Sequence, residues 1–342
     1  MNITFLIGNG FDLNCGLKSK YSDVYDQYCS TQSDQECIQR FKKEIKSDYE
    51  TWGDFEVAMA EHMAEFETES DFIACLRDFK TFLNRYLLDQ ITKINELIGE
   101  EEKQKTFQAI QHSVGNFYKD VTHNLTNEIQ SRISREQVYK YAIVFNYTQL
   151  FERLSTQRNG DRYSKIFSEV INVHGVLNDD IVLGMDNESQ LVPCKSEKEI
   201  TKRIKRAFIK PIFNEEYDSE RIRRAKAIID DSDIICVYGM SLGKSDLTWR
   251  ELLFDWLLRK EDGHLFIFDY ANVSVKAKTV DERLDIEDMK RNSFFDRMEL
   301  DKERSEKIEA RLHMPLGKNL FNINEIINSS KKNSQPGVTT LS

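Results

Sequence analysis

The sequence predicts a protein of the α/β class, in which a mostly parallel sheet carries a large helical insertion between its first two strands. Its predicted strands are short, continuous apolar runs, which are typical of parallel strands buried on both faces. These runs alternate with segments whose apolar residues recur at helical spacing. Residues 18–135 contain no proline and keep that spacing, so we expect this stretch to consist of several helices.

Most of the predicted strands stop at a glycine or at a polar residue. In chain order the predicted strands are residues 3–7, 141–145, 170–173, 181–183, 233–238 and 265–268. Because parallel strands end at the same edge of a sheet, the residues that follow them are the first candidates for a binding site.

The helical segments divide the chain into a core and an insertion. We predict a sheet-containing core from residues 1–17 and 136–330, and an insertion of four or five helices at residues 18–135. Residues 196–231 are also expected to be helical and are strongly mixed in charge. The segment 331–342 is polar, and we expect it to be a frayed tail without a function of its own.

Composition limits the classes of function. Lys and Arg total 48 against 58 Asp and Glu, and the net charge of −10 disfavours attraction of the whole surface to nucleic acid or anionic membrane, although a local basic groove stays compatible with it. The first apolar run is too short for a signal peptide, and no run is long enough to cross a bilayer. Six scattered cysteines without a C-x-x-C pair are typical of reduced thiols. We therefore expect a cytoplasmic protein that binds neither membrane nor nucleic acid.

The turn Gly8-Asn9-Gly10 directly follows the first strand. Glycine at a strand end lets backbone N–H groups approach a phosphate or a ribose, where a Cβ atom would collide. The alternative is a tight turn without a ligand, because the complete G-x-G-x-x-G pattern is absent. Asp12 either holds a ribose hydroxyl as a carboxylate partner or caps the next helix.

Two polar residues follow later strands. The Asn146 amide can position a water molecule or a sugar hydroxyl, and its alternative role is that of a helix N-cap. His174 is followed by Gly175, which leaves one side of the imidazole open, and an imidazole can accept a proton near neutral pH. The alternative for His174 is a structural histidine.

The last candidate turn is Tyr238-Gly239-Met240-Ser241-Leu242-Gly243, after the clearest strand. Gly239 permits close backbone approach, and Ser241 offers a hydroxyl to a phosphate. Gly239, Ser241 and Gly243 have the spacing of the G-x-S-x-G elbow of serine hydrolases. That elbow leads directly from a strand into a helix, whereas the next helix here is expected to be capped by Ser245-Asp246, so we do not expect a serine hydrolase. The scattered histidines lack the spacing of a zinc site, so we expect no metal.

These strand-end motifs, in this order, resemble those of the AbiH family of bacterial abortive-infection proteins. Trp52 and Phe55 belong to the resemblance, although their spacing favours core packing, and Glu56 faces either the core or the site. The segments that carry the resemblance are 7–13, 16–18, 21–23, Trp52 with 54–56, 145–148, 173–175 and 238–243, within a region that ends near residue 270.

The same order is similar, more distantly, to the sirtuin-like, Rossmann-like fold that binds nicotinamide dinucleotides. The resemblance maps the sirtuin asparagine onto Asn146, the catalytic histidine onto His174, and the late motif onto Gly239, Ser241 and Leu242. The zinc-binding cysteine pairs of deacetylating sirtuins are absent, which argues against protein deacylation. The chain also departs from sirtuins by having Asn9, Phe11-Asp12 and Thr148 at its motifs.

The two resemblances together imply an anti-phage effector that stops infection, commonly at the expense of the infected cell. They imply NAD or a related nucleotide as substrate or ligand, no prosthetic group, and hydrolysis of the nicotinamide–ribose bond by an NAD glycohydrolase. In that activity Asn146 would position water or ribose, and His174 would be the general base. The backbone N–H groups of Gly8 to Gly10 would fix the pyrophosphate.

Two other functions stay open from the sequence. One is a nucleotide sensor or interaction module without catalysis, in which the insertion presents a partner surface. The other is a nuclease that uses Asp12 and further carboxylates with a divalent metal. The expected partners are a nucleotide ligand and a phage-derived trigger or partner protein. Trp249 and Trp256, seven residues apart, lie either in the core or at the contact of a homo-oligomer.

Overall fold

The computed structural model of the protein describes most of the chain, and the predicted tail at 331–342 lies outside the described residues. The described residues are 1–159, 162–179, 181–217, 219–268, 279–315, 320–321 and 323–327. The α-helices are α1 (Gly10–Asn14), α2 (Tyr21–Ser30), α3 (Glu36–Ser47), α4 (Phe55–Glu61), α5 (Glu69–Leu97), α6 (Glu100–Asn116), α7 (His123–Arg135), α8 (Leu150–Leu154), α9 (Lys202–Phe208), α10 (Lys210–Tyr217), α11 (Ser219–Asp230), α12 (Leu247–Arg259), α13 (Val280–Arg297) and α14 (Lys302–Ile308). The strands are β1 (Asn2–Ile7), β2 (Tyr139–Val144), β3 (Thr156–Asn159), β4 (Arg162–Lys165), β5 (Glu169–Asn172), β6 (Ile234–Tyr238), β7 (His264–Phe268) and β8 (Leu312–His313).

One parallel sheet organises the molecule, with the strand order β5-β2-β1-β6-β7-β8. The chain runs outward from β1 through β2 and β5 on one side, and then returns to β6 on the other side of β1. The order therefore reverses at β1, and ligands of open α/β sheets bind outside the carboxyl ends of the strands at such a reversal. The α/β, Rossmann-like prediction is confirmed, including helices α1 to α7 between the first two strands of the sheet.

The register of the sheet brings the strand ends level. Ile7 of β1 pairs with Val144 of β2 on one side and with Tyr238 of β6 on the other. Val144 in turn pairs with Asn172 of β5. The turns that follow these four strands therefore meet at one edge, as the sequence predicted.

Apolar layers cover both faces of the sheet. Side chains alternate along β1, so Phe5 packs among residues of α6, α7 and α8, whereas Leu6 packs among residues of α11 and α12. Trp249 and Trp256 belong to the second layer and are 4% and 1% exposed. The interpretation of these two tryptophans as an oligomer contact is therefore wrong, because their rings are buried in the core of the chain itself.

The helices before β2 pack in two groups. Helices α2 to α5 form their own aromatic core, in which the rings of Phe55 and Phe79 stack with centroids 3.8 Å apart. Residues from 177–209 complete that core, while α6 and α7 pack against the sheet. The division of the chain into a sheet-containing core and an insertion at residues 18–135 stays a prediction.

Some sequence predictions are corrected by the structure. Residues 181–183 form a loop rather than a strand, because these apolar side chains are buried against the insertion helices and not in a ladder. The described part of 18–135 holds six α-helices rather than four or five. The antiparallel pair β3–β4 was not predicted, because the residues of β4 are all exposed and show no apolar alternation.

Candidate active site

A cavity of about 600 Å³ opens at the carboxyl edge of the sheet, at the reversal of strand order. Loops after β1, β2, β5 and β6 form one wall, and the insertion closes the other side through α4 and α5. All of the predicted site residues line this cavity, namely Gly8, Asn9, Gly10, Asp12, Asn146, His174, Gly239 and Ser241.

The two glycine turns pack against each other. A Cβ atom on Gly8 would lie 2.5 Å from the carbonyl oxygen of Gly239, and Gly239 itself has a φ of +64°. The N–H of Gly8 donates to the carbonyl of Tyr238, and the N–H of Gly10 donates to that of Gly239, both at 2.9 Å. The N–H groups of Gly8 and Gly10 were predicted to bind a phosphate. The structure corrects this prediction, because both groups already donate to carbonyl groups of the protein. The glycines allow β1 and β6 to approach closely.

Asn146 lies two residues after β2, with its side chain in the cavity wall. The residue is only 4% exposed, and neither its amide oxygen nor its amide nitrogen forms a hydrogen bond of normal geometry with the described residues, although the amide lies near enough to Asp12 to lower the pKa of that carboxyl. It does not cap a helix, since α8 begins at Leu150 with Gln149 at the N-cap. Buried amide groups are rarely left unpaired in native proteins, so this arrangement is that of an amide that binds a ligand or a water molecule.

Asp12 is the third residue of α1 and does not cap that helix, whose N-cap is Asn9. One carboxylate oxygen of Asp12 accepts a 2.7 Å hydrogen bond from the hydroxyl of Thr148. Burial raises the pKa of Asp12 to about 7, against the opposing effects of Thr148 and the nearby Asn146 amide. The carboxyl group therefore changes charge near neutral pH.

Replacement of Asp12 by asparagine is expected to weaken the pH dependence of stability. The folded chain holds the Asp12 proton up to about pH 7, whereas the ordinary pKa is 3.8, so wild-type stability falls as pH rises through this interval. The slope is at most about 1.4 kcal/mol per pH unit in the free energy of unfolding. Urea unfolding near pH 5 and near pH 7 measures it, with the exposed Asp34→Asn as the matched control. If Asp12→Asn changes the free energy of unfolding by the same amount at both pH values, this expectation is wrong.

His174 lies two residues after β5, and its ring meets the ring of Phe145 edge-on with centroids 5.3 Å apart. Its Nε2 atom is buried without a hydrogen-bond partner in the described structure and lies 3.4 Å from a carboxylate oxygen of Asp246. Burial and the Lys210 ammonium lower the pKa of His174 to about 3, although Asp246 and a hydrogen bond with the Phe145 backbone oppose the shift. The imidazole is therefore neutral at physiological pH and presents an unpaired nitrogen.

A buried charged group next to His174 was not predicted as part of the site. We call it the Lys210 cluster: Lys210, Glu56, Asp186 and Asp246. Lys210 lies 3.0 Å from Asp246 and 3.3 Å from Glu56, and it donates a 2.8 Å hydrogen bond to the carbonyl of Ser245. Each member comes from a different part of the chain, so no local pattern marks the group.

Three parts of the backbone fix the Lys210 cluster in place. Glu56, in the first turn of α4, accepts a 2.7 Å hydrogen bond from the N–H of Gly184. Asp186 accepts a hydrogen bond from the N–H of Thr248 at the start of α12. The N–H of Lys210 donates to the carbonyl of Met185. The insertion helix α4 thus reaches the sheet edge and supplies one carboxylate of the cavity wall.

The members of the Lys210 cluster have different charges. Burial alone would lower the pKa of Lys210, but the surrounding carboxylates raise it above its ordinary value. Burial would raise the pKa of Asp246, yet the ammonium of Lys210 holds it below its ordinary value. Burial raises the pKa of Glu56 to about 8, with partial opposition from Lys210. Asp246 in the cavity wall is therefore ionised near pH 7, and Glu56 in the same wall holds a proton more readily than an ordinary glutamate. The charged ammonium of Lys210 contacts both carboxyl groups but is not part of the cavity lining.

Sequence signals for the Lys210 cluster were present but pointed elsewhere. Asp246 precedes α12 as its N-cap residue, but its side chain makes no capping hydrogen bond and instead accepts a hydrogen bond from Lys210. Glu56 was left open between core and site, and the structure places it in the cavity wall. The one signal for Lys210 is a lysine inside the apolar run Phe208-Ile209-Lys210-Pro211-Ile212.

The arrangement contains the groups that a hydrolytic reaction uses. It presents a neutral imidazole nitrogen, an unpaired amide and ionised carboxylate beside a cavity of ligand size. Within the described part of the chain, no group of three or more His, Cys, Asp and Glu side chains is arranged to hold a metal ion. Among the residues that the structure covers, no helix is both long and apolar enough to span a membrane.

The family model described as "Bacteriophage abortive infection AbiH" matches residues 4–268, which is more than half of the chain. The chain belongs to the AbiH family. The matched region includes every residue named above in the cavity and in the Lys210 cluster. The resemblance inferred from the strand-end motifs is thereby confirmed.

No curated protein matches this AbiH chain. Among solved structures, it is similar to a mutant Sir2 homologue in complex with ADP ribose, at 12% identity and a TM-score of 0.32, over 98% of this chain and 95% of that chain. A second similar structure, of a Sir2 enzyme described for mechanism and regulation, has 13% identity and a TM-score of 0.33, over 97% and 92% of the two chains.

Proposed function

We propose that this AbiH protein is an abortive-infection effector that binds NAD or a related nucleotide in the cavity and hydrolyses the nicotinamide–ribose bond. The observation that carries the proposal is the pair of buried, unpaired polar groups in the cavity wall, the Asn146 amide and the Nε2 atom of His174. Leaving such groups unpaired is unfavourable, so they indicate a polar ligand. The volume of about 600 Å³ lies within the range of ligand clefts.

The charge of the cavity suits a reaction that builds positive charge on a sugar. Cleavage of an N-glycosidic bond passes through an oxocarbenium-like state, which carboxylates stabilise electrostatically. Asp246 is ionised, and Asp12 gains its charge as the pH rises through about 7. Nicotinamide leaves as a neutral molecule, so the leaving group needs no proton from the protein.

The proposed step uses His174 and Asn146 directly. Asn146 positions a water molecule or the ribose, and the water oxygen forms a bond to the anomeric carbon of the ribose. The bond from that carbon to nicotinamide breaks, and its electron pair stays on the nicotinamide nitrogen. As the water oxygen bonds to the cationic ribose carbon, its protons become strongly acidic, so one passes to Nε2 of His174 even though burial lowers the pKa of this imidazole. The carboxylate of Asp246, 3.4 Å away, stabilises the resulting imidazolium.

Side chains rather than the glycine turn would hold the pyrophosphate, because the N–H groups of Gly8 and Gly10 are already donated. Lys20 and Ser241 are exposed residues of the cavity lining and supply an ammonium and a hydroxyl. The ammonium of Lys20 offers the charge that a phosphate prefers. This assignment replaces the N–H groups of Gly8 and Gly10 in the cradle expected from the sequence.

The nuclease alternative fits this geometry less well. A divalent cation needs carboxylates that are free to coordinate it, whereas Glu56 and Asp246 share the ammonium of Lys210. The alternative of a nucleotide sensor uses the same cavity and differs only in turnover.

The test is to incubate purified protein with NAD and to follow free nicotinamide and ADP-ribose by chromatography. We expect the two products to appear in equal amounts. Protein isolated from phage-infected cells is assayed in parallel, because effectors of this kind can need a trigger. If neither preparation releases nicotinamide from NAD, the catalytic proposal is wrong. If the protein binds NAD without cleaving it, the cavity belongs to a nucleotide sensor.

A further inference from the structure

A second concave surface lies between α5 and the helices α9 and α10. This groove has a volume of about 970 Å³. One face of α5 lines the groove, and the adjoining face of the same helix lines the cavity at the sheet edge. The basic residues of the groove are Arg77, Lys80, Arg85, Lys202, Arg203 and Arg206. The groove is distinct from the cavity, since the two linings share no residue.

The positive charge of the groove contrasts with the rest of the protein. Among the described residues that line it, Asp179 is the one acid, although the whole chain has a net charge of −10. Arg203 pairs with Glu69 and Arg206 pairs with Glu216, which offsets two of the cations. Arg77, Arg85 and Lys202 are exposed, so their charges face solvent along the groove.

The basic residues form two facing rows. On α5, Arg77 and Arg85 are eight residues apart, which corresponds to roughly 12 Å along one helix face. Lys202 and Arg206, four residues apart, form the opposite row on α9, in which Lys202 carries the unoffset charge because Arg206 pairs with Glu216. Two rows of cations across a channel match a chain of regularly spaced anions better than they match a single anion.

The groove also contains an aromatic ring. Phe213 of α10 is partly exposed and lines the groove, and the ammonium of Lys80 lies 5.5 Å from its ring centroid. A basic channel with an aromatic side chain is the combination that proteins use for single-stranded nucleic acid, because cations follow the phosphates and rings stack on bases. An acidic polypeptide would use the cations but has no base to stack on Phe213.

We propose that this groove binds single-stranded nucleic acid, with Arg77 and Lys202 contacting phosphates and Phe213 stacking on a base. The net charge of the chain predicted no attraction of its whole surface to nucleic acid, and the groove concentrates positive charge locally. This site is independent of NAD cleavage. It gives the effector a place to contact a nucleic acid of the phage or of the host.

The test measures fluorescence anisotropy of a labelled thymidine oligonucleotide of about 20 nucleotides at about 50 mM and about 200 mM salt. We expect the Arg77→Gln/Lys202→Gln double variant to bind about tenfold or more weakly at the lower salt. Its slope of log K against log salt should fall by about 1.4, since each lost phosphate contact on a single strand contributes about 0.7. Phe213→Ala should weaken binding about fivefold or more with little change in slope.

The matched control is Lys43→Gln/Lys46→Gln, which removes two exposed lysines from α3, outside the groove. We expect this control to bind within about twofold of the wild type, since surface lysines outside a site contribute little. Absence of binding by the wild type at about 50 mM salt overturns the proposal. The proposal is also wrong if the control variant loses as much affinity as the groove variant, or if the protein binds a duplex of the same length equally well. Displacement of the oligonucleotide by polyglutamate at an equal concentration of charge would assign the groove to an acidic polypeptide and likewise overturn the proposal.

Discussion

The substitution His174→Ala is expected to reduce the rate of nicotinamide release from NAD by about 100- to 10,000-fold, which is the range that a positioned general base contributes. The Nε2 atom of His174 is buried and unpaired in the cavity, and burial with the Lys210 ammonium keeps the imidazole neutral by lowering its pKa to about 3. Loss of the imidazole therefore removes the proton acceptor. Steady-state rates from product chromatography measure the effect, and thermal unfolding reports whether the variant folds.

His112→Ala is the matched control, because His112 is an exposed histidine on α6 away from the cavity. This control should keep the wild-type rate. Asn146→Ala supplies a second, independent variant and should also lose most of the activity, since the amide positions the water or the ribose. If His174→Ala and Asn146→Ala both fold and retain full turnover, the assignment of these residues to catalysis is wrong.

The second large effect concerns stability. Replacement of Lys210 by methionine is expected to lower the free energy of unfolding by about 3–5 kcal/mol near pH 8, the usual result of removing one partner of a buried charge group. Lys210 is 2% exposed and lies within 3.3 Å of carboxylate oxygens on both Glu56 and Asp246. The methionine fills a similar volume but leaves those carboxylates without their cation. Urea unfolding measures the change.

Lys195→Met is the matched control, because Lys195 forms an exposed ion pair with Glu67. Exposed ion pairs contribute little to stability because water and salt screen them, so this variant should be nearly as stable as the wild type. Adding Glu56→Gln to Lys210→Met should restore part of the loss, since fewer buried charges then lack a partner. Equal stability of Lys210→Met and Lys195→Met would show that the ammonium of Lys210 does not compensate these carboxylates.

The fold was largely predictable because its signals are local. Continuous apolar runs such as Ile3 to Ile7 and Ile234 to Cys236 predict buried parallel strands, and the structure places both at the centre of the sheet. The same rule failed at 181–183, where an apolar run is buried by helices of the insertion and makes no ladder. An apolar run predicts that its side chains are buried, but it does not predict which element they pack against.

The site was predictable only where its residues directly follow strands. Asn146, His174 and Gly239 were found because parallel strands end at one edge. Glu56 and Lys210 are separated by 154 residues and meet only in the folded chain. Whether a backbone N–H is free for a ligand also depends on the neighbouring strand, which is why the donors of Gly8 and Gly10 were assigned wrongly to a phosphate.

The wide separation of Glu56, Lys210 and Asp246 along the chain has a consequence for protein synthesis. Ribosomes add about 5–20 residues per second, so Asp246 is made roughly 10–40 s after Glu56. β6, which packs beside β1, is also translated late. A nascent chain therefore has an open, incomplete pocket until the segment that contains β6 and Asp246 has been made. If the protein consumes NAD, that activity cannot begin before this segment has left the ribosome.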